Sequence, residues 1–234
     1  MLSLKDQGIH EPEQRSEEWF ARRREITEKR GFTGSKLSNF LFCPCYDQAR
    51  GECWGWVKKV FTAEQKGWMR WGQEKEPIAT EAFLKKWPSY RILEAPMMYH
   101  KGVDWAASSP DGFFCELEGD KILSYGVVEI KCPAKDKKCK NKPIFYYMPQ
   151  CYWEAACSGH FKIMLFIVWA PNGLRAWKLH WRAPMWGALC NLLHHMRAFP
   201  EEGESTPEAQ ETYLQLQAEL KSQCDICVNE AQEI

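Results

Sequence analysis

Ser109-Pro110-Asp111-Gly112 and, farther along, Glu129-Ile130-Lys131 are the two stretches of this chain whose residue types could do chemistry together. Val127 to Lys131 is a β-branched run that reads as a strand, stopped by Pro133. Side chains alternate along a strand, so Glu129 and Lys131 project from one face while Val128 and Ile130 point into the core. Asp111 falls in a turn between two strands, where pairing could bring its carboxylate beside Glu129. Two carboxylates and the main-chain carbonyl of Ile130 are hard oxygen ligands of the kind Mg²⁺ prefers, with Mn²⁺ as a substitute. Lys131 would then stand where it can orient or deprotonate a metal-bound water, and attack on a phosphodiester is the reaction that suits such a site. A lone Glu-x-Lys is more often the solvated face of an edge strand. The upstream Pro-Asp is what moves the reading toward a site.

The elements around these residues follow from periodicity and punctuation. Ser16-Glu17-Glu18 ahead of Trp19, Phe20 and Arg22 to Arg24 reads as a capped helix with acids in its first turn. Thr33-Gly34-Ser35-Lys36 opens a second helix, and residues 43–56 read as a loop. A third helix is expected from near Gln73 or Glu74 to Trp87, because Pro77 is tolerable only in a first turn. Strands are expected over Tyr90 to Tyr99, Trp105 to Ala107, Phe113 to Leu117 and Val127 to Lys131. A helix over Ile144 to Cys157 precedes a hairpin of Ile163 to Trp169 and Leu174 to Trp181 about Pro171-Asn172-Gly173. Helices are expected over Trp186 to Phe199 and Tyr213 to Lys221. The sum is an α/β (α+β) domain with a central mixed sheet flanked by helices.

Around the Asp and Glu-x-Lys the chain resembles the lambda exonuclease family, the YqaJ-type viral recombinases with a PD-(D/E)XK nuclease core. The resembling pieces are Trp19-x₃-Arg23, Thr33-Gly34-Ser35, Trp71-Gly72-x₃-Glu76, Ser109-Pro110-Asp111-Gly112, Glu129-Ile130-Lys131-Cys132-Pro133 and Tyr147-Met148-Pro149-Gln150, in the family's order over roughly residues 19 to 181. The resemblance implies a restriction-endonuclease-like fold and a Mg²⁺-dependent exonuclease acting 5′ to 3′ on linear double-stranded DNA. It implies that Asp111, Glu129 and the Ile130 carbonyl hold metal, that Lys131 activates the water, and that Glu76 completes the acidic cluster. Gln150 would position the water or scissile phosphate. Arg23, Ser35 and Ser109 would bind the 5′-phosphate, with Arg22, Arg24 and Arg30 as alternatives to Arg23. Double-stranded DNA ends are the implied partner, together with a single-strand annealing protein, and relatives include trimers and monomers. Two other readings stay open: an endonuclease or structure-specific nuclease on the same site, and a non-catalytic DNA- or Zn-binding module.

Charge bears on the DNA reading. Thirty-one basic residues balance thirty-one acidic ones, which on its face speaks against a nucleic-acid binder. The balance is uneven: from Pro200 onward nine acids face Lys221 alone, a surplus of −8, so residues 1–199 carry +8. The reading divides the chain into a nuclease domain, 1–199, and an acidic, partly helical segment, 200–234. That segment could stay clear of DNA, dock a basic partner or compete with DNA. Lys135, Lys137, Lys138 and Lys140 form a basic loop suited to salt-dependent contact with a DNA backbone. No apolar run approaches the roughly 20 residues of a membrane span, and the polar, acidic start is unlike a signal peptide. Eleven cysteines without a disulfide-scaffold spacing point to free thiols in a reducing intracellular compartment, cytoplasm or nucleus. Cys43, Cys45 and Cys53 with Cys224 and Cys227 could supply a zinc or iron–sulfur site, the weaker reading because the pattern is loose.

Overall fold

The computed structural model describes residues 11–12, 14–56, 60–159, 161–199 and 201–234. Most of the stretch that argued against a signal peptide lies outside them. Helix α1 (Glu17–Glu28) begins at Ser16, whose hydroxyl accepts from the Trp19 N–H, and Glu17 and Glu18 meet the positive end of its dipole. Strand β1 (Phe32–Thr33) leads directly into α2 (Gly34–Phe40).

Two sequence expectations fail next. The stretch 43–56 is not a loop but contains α3 (Tyr46–Trp54), which buries Tyr46, Ala49, Arg50 and Gly51. Tertiary contacts make this helix: Arg50, 4% exposed, donates to the Glu201 carbonyl at 3.1 Å and to Asp47 at 2.7 Å. Helix α4 (Ala63–Lys86) starts about ten residues before the expected position and carries Pro77 in its interior. Its true start is a capping box between Thr62 and Gln65. Pro77 and Gln73 both lie on the exposed face, so the Gln73 carbonyl that Pro77 cannot reach is left to water.

The strands follow: β2 (Tyr90–Leu93), β3 (Met98–Tyr99), β4 (Ala106–Ser108), β5 (Gly112–Glu118) and β6 (Lys121–Lys131). A short 3₁₀ turn, Phe145–Tyr147, enters α5 (Met148–Cys157), which is succeeded by β7 (Ile163–Ala170), β8 (Gly173–His180), α6 (Ala183–Ala198), α7 (Pro207–Glu230) and β9 (Gln232–Glu233). The main sheet has the order β2-β5-β6-β7-β8-β9, and β1-β4-β3 form a smaller one. β6 and β7 are parallel, joined by the α5 crossover, and the other pairs of the main sheet are antiparallel. This is the mixed sheet flanked by helices that the sequence implied.

Both faces of the sheet are covered. Ala79 and Phe83 of α4 pack on Val128, Ile130, Leu165 and Ile167. On the opposite face Val127, Met164 and Phe166 meet α5, α6 and α7. β6 is therefore an interior strand, and Glu129 lies 2% exposed between layers. The solvated edge-strand alternative is excluded by position.

The acidic segment is built into this core. Tyr213, Leu220, Cys224 and Cys227 of α7 belong to the main cluster, and β9 extends the sheet beside β8. The Tyr213 hydroxyl donates toward the carbonyls of Phe40 (3.2 Å) and Cys43 (3.0 Å), and the Gln217 amide donates to those of Leu41 (3.0 Å) and Cys43 (2.7 Å). Glu230 and Glu233 pair with Arg182 and Arg175, so the two opposite charge surpluses meet in places. Tyr213→Ala is expected to cost about 3–5 kcal/mol, read as a fall in the denaturant midpoint; an unchanged midpoint would mean α7 contributes nothing to the core. No described helix is long and apolar enough to cross a membrane.

Candidate active site

Gly112 pairs with Val128 across β5 and β6, and one step further places Asp111 opposite Glu129 on the same face. Only a glycine fits at 112: an added Cβ would lie 2.7 Å from the Leu93 carbonyl oxygen at the end of β2. Asp111 Oδ2 accepts from the Ile130 N–H at 2.7 Å, and the Asp111 N–H donates to the Val128 carbonyl at 3.1 Å. The N–H and C=O of one strand residue point to the same side. The Ile130 carbonyl thus faces the Asp111 side, beyond the end of β5.

Glu129 Oε1 accepts from the Lys131 ammonium and, at 2.7 Å, from the Gln150 amide of α5. The same amide donates to Glu154 Oε1 at 2.8 Å, one turn further along α5. Glu129 Oε2 and Glu154 Oε2 are buried with no hydrogen-bond partner. Burial, then the Glu129 and Glu76 carboxylates, push Asp111 well above the ordinary carboxylate value. Burial, then Glu129 and Asp111, do the same to Glu154. For Lys131, burial works against the ammonium, but Glu129 and Asp111 outweigh it and hold the group above the ordinary lysine value. Lys131 in this state can donate to a water or phosphate oxygen but cannot accept a proton.

Three carboxyls crowded about one ammonium, two of them pushed toward their protonated forms and two with a buried, unpartnered oxygen, are a site short of positive charge, and all the donors are hard oxygens. The residues fit a divalent cation. Among the described residues no three His, Cys, Asp or Glu side chains form a metal-holding group. Cys224 and Cys227 are instead packed in the core, Cys227 Sγ 3.2 Å from the Tyr152 hydroxyl.

Glu76 is near enough to raise Asp111, yet its carboxylate is held by Arg15 at 2.7 Å. Arg23 donates to the hydroxyls of Ser35 (2.9 Å) and Thr33 (3.0 Å) and lies 4.5 Å over the Trp19 ring. The Trp19 indole N–H donates to Ser109 Oγ at 3.0 Å. Those three hydroxyl oxygens accept, which leaves their own protons to offer an anion beside a guanidinium. Arg22 is committed to Glu11 and Glu18, Arg24 is exposed, and Arg30 lies past the end of α1. Of the basic loop, Lys140 pairs with Asp136 and Lys137 lies 4.6 Å over the Trp71 ring, while Lys135 and Lys138 are exposed.

Sequence reasoning missed Glu154 and Thr33. Glu154 had a signal, since it stands four residues after Gln150 and so on the same helix face. Gly34 makes room for it: an added Cβ would press on Glu154 Oε1 at 3.3 Å.

A mixed sheet flanked by helices, with an Asp and a Glu-x-Lys brought together on adjoining strands, defines a deoxyribonuclease of the restriction-endonuclease-like class. The model of the YqaJ-like viral recombinase domain matches residues 18–161, and the chain belongs to that family. The match contains Arg23, Ser35, Glu76, Asp111, Glu129, Lys131 and Gln150, and it ends before the hairpin that the sequence resemblance included. Among solved structures, the alkaline exonuclease LHK-Exo from Laribacter hongkongensis is similar over 90% of this chain and 100% of its own, at 17% identity and a TM-score of 0.52. LHK-Exo in complex with dAMP is similar over 92% and 99%, at 18% identity and a TM-score of 0.50. At these identities the likeness is one of fold. No curated protein matches this chain.

Proposed function

We propose that this nuclease is an exonuclease that enters linear double-stranded DNA at a 5′-phosphate and hydrolyses it 5′ to 3′ with Mg²⁺. The observation that carries the reading is the chain of contacts Ser35–Arg23–Trp19–Ser109, which ends two residues from Asp111. A pocket for a terminal phosphate adjoining the candidate hydrolytic residues is what an end-dependent enzyme needs.

Asp111, Glu129 and the Ile130 carbonyl would hold the cation, which supplies charge neutralisation at the phosphate and lowers the pKa of the attacking water. Gln150 fixes the Glu129 carboxylate from the α5 side. Lys131 donates to the attacking water or a phosphate oxygen, and shielding of the two carboxylates that retain its proton would let that proton leave. Glu76 enters by its charge on Asp111. Lys135 and Lys138 add a sequence-independent attraction for the backbone. Resection of this polarity would leave 3′ single strands, the substrate of a single-strand annealing protein.

Linear duplex bearing a 5′-phosphate should be degraded with Mg²⁺ and covalently closed plasmid left intact. Arg23→Ala should lower the preference for a 5′-phosphate over a 5′-hydroxyl end by roughly 10- to 100-fold, the worth of hydrogen bonds to a charged group. Plasmid nicking would instead identify an endonuclease, and an unaltered preference in Arg23→Ala would remove the pocket from the mechanism.

A further inference from the structure

A recess of about 200 Å³ opens beside α1, α2 and α3, lined by Thr27, Arg30, Phe32, Lys36, Trp54 and Trp56 among others. Phe32 and Trp54 form one wall, their ring centroids 5.6 Å apart and tilted by 35°. The Trp54 indole N–H is buried without a hydrogen-bond partner. Arg50 lies 5.3 Å over the Trp56 ring. Arg30 and Lys36 are exposed at the recess; Lys36 donates to Thr27 Oγ1 at 3.3 Å, and among the described residues neither cation is in an ion pair.

Aromatic walls alone would suit an apolar guest, and two uncommitted cations alone would suit a simple anion. Together they match a nucleotide, whose base stacks and whose phosphate is anionic. The volume falls below the roughly 300–1,000 Å³ of a pocket for a drug-sized ligand, which limits the guest to about one base.

Position narrows the guest further. Trp19, Arg23 and Thr27 are four residues apart, so they line one face of α1 at steps of about 6 Å. Trp19 meets Ser109, Arg23 meets Ser35, and Thr27 borders the recess. The recess therefore lies one helical turn beyond Arg23, on the side away from Asp111. A strand that runs from Arg23 toward Asp111 in the 5′-to-3′ sense has the recess on its 5′ side.

We propose that the recess is a nucleotide subsite for the unpaired nucleotide 5′ of the phosphate at Arg23, its base against Trp54 and Trp56 and its phosphate at Lys36 and Arg30. This rests on the exonuclease reading and extends it to duplexes with a 5′ overhang. The test measures affinity by fluorescence anisotropy, with Ca²⁺ replacing Mg²⁺, for a blunt duplex, one with a single-nucleotide 5′ extension and one whose extension is abasic. The base-bearing extension should bind roughly five- to 150-fold more tightly than the abasic one, the worth of one base–aromatic stack. That gain should vanish in Trp54→Leu, whereas Lys36→Gln, at an exposed position, should weaken both extended duplexes alike relative to the blunt one, because the abasic extension keeps its phosphate. Equal affinities for the base-bearing and abasic extensions, a gain that survives Trp54→Leu, or extended-duplex affinities untouched by Lys36→Gln would overturn the proposal. Hydrolysis of the blunt duplex with Mg²⁺ tests the exonuclease reading independently.

Discussion

Lys131→Met should slow hydrolysis of linear duplex by about 10²–10⁴-fold, the usual worth of a positioned proton-transfer group, and should destabilise the fold as well. Lys131 is the charge partner of Glu129, whose side chain is 3% exposed while that of Lys131 is 22% exposed. Removing one member of a buried pair strands the other charge, at a cost of about 3–5 kcal/mol. The partial exposure of Lys131 places this case near the low end, about 3 kcal/mol, or roughly 6–12 °C in Tm for a chain of this size. The two effects separate in the double variant Lys131→Met with Glu129→Gln. There the stranded charge is gone and the new amide oxygen can still accept from Gln150, so Tm should recover while hydrolysis stays lost. Hydrolysis in the double variant is lost through the proposed ligand Glu129 as well, so that variant reports on stability alone: a Tm that fails to recover would rule out the stranded charge as the cause, and a fully active single variant would remove Lys131 from the site.

That pairing was legible in the sequence because a strand's twofold period fixes which residues share a face. Glu129 and Lys131 between Val128 and Ile130 allow one arrangement, and the Pro-Asp turn allows one neighbour. What the sequence could not supply was the depth of the site. Nothing local says that β6 is an interior strand, or that all ten residues of α5 are buried between the sheet and other helices. For that reason Glu154 read as an ordinary helix-face acid. The same limit explains α3: Cys45 to Gly55 is weak helix material by propensity, and the contacts that hold it come from residues some 150 positions later. Pro77 misled in the opposite direction, because a local rule about helix starts was overridden by a solvent-exposed face that tolerates an unpaired carbonyl. The charge surplus of 200–234 was visible in the sequence; the apolar face of α7 that docks it is spaced at Tyr213, Leu220, Cys224 and Cys227, the helical period of a packed element.

The cation should show itself in stability before it shows itself in rate. Asp111 and Glu154 are both held well above the ordinary carboxylate value, by burial first and neighbouring carboxylates next. In the unfolded chain they release their protons near pH 4. Between there and their raised folded values the native protein holds more protons than the unfolded chain, so its stability must fall as pH rises. The loss approaches 1.4 kcal/mol per pH unit for each such group. A divalent cation removes the need for those protons where it is bound. Mg²⁺ at a hundred times its Kd adds about 2.7 kcal/mol, roughly 5–10 °C, and the gain should be larger at pH 8 than at pH 5, where protons compete for the same oxygens. Asp111→Asn should abolish the gain. Glu154→Gln should flatten the metal-free pH slope yet keep the gain, because Glu154 is placed to feel Asp111 and Glu129 electrostatically without being one of the proposed ligands. Differential scanning fluorimetry of the three proteins across pH, with and without Mg²⁺, reads all of this. A Tm indifferent to Mg²⁺ at pH 8 would sink the metal assignment, and loss of the gain in Glu154→Gln would move that residue into the ligand set.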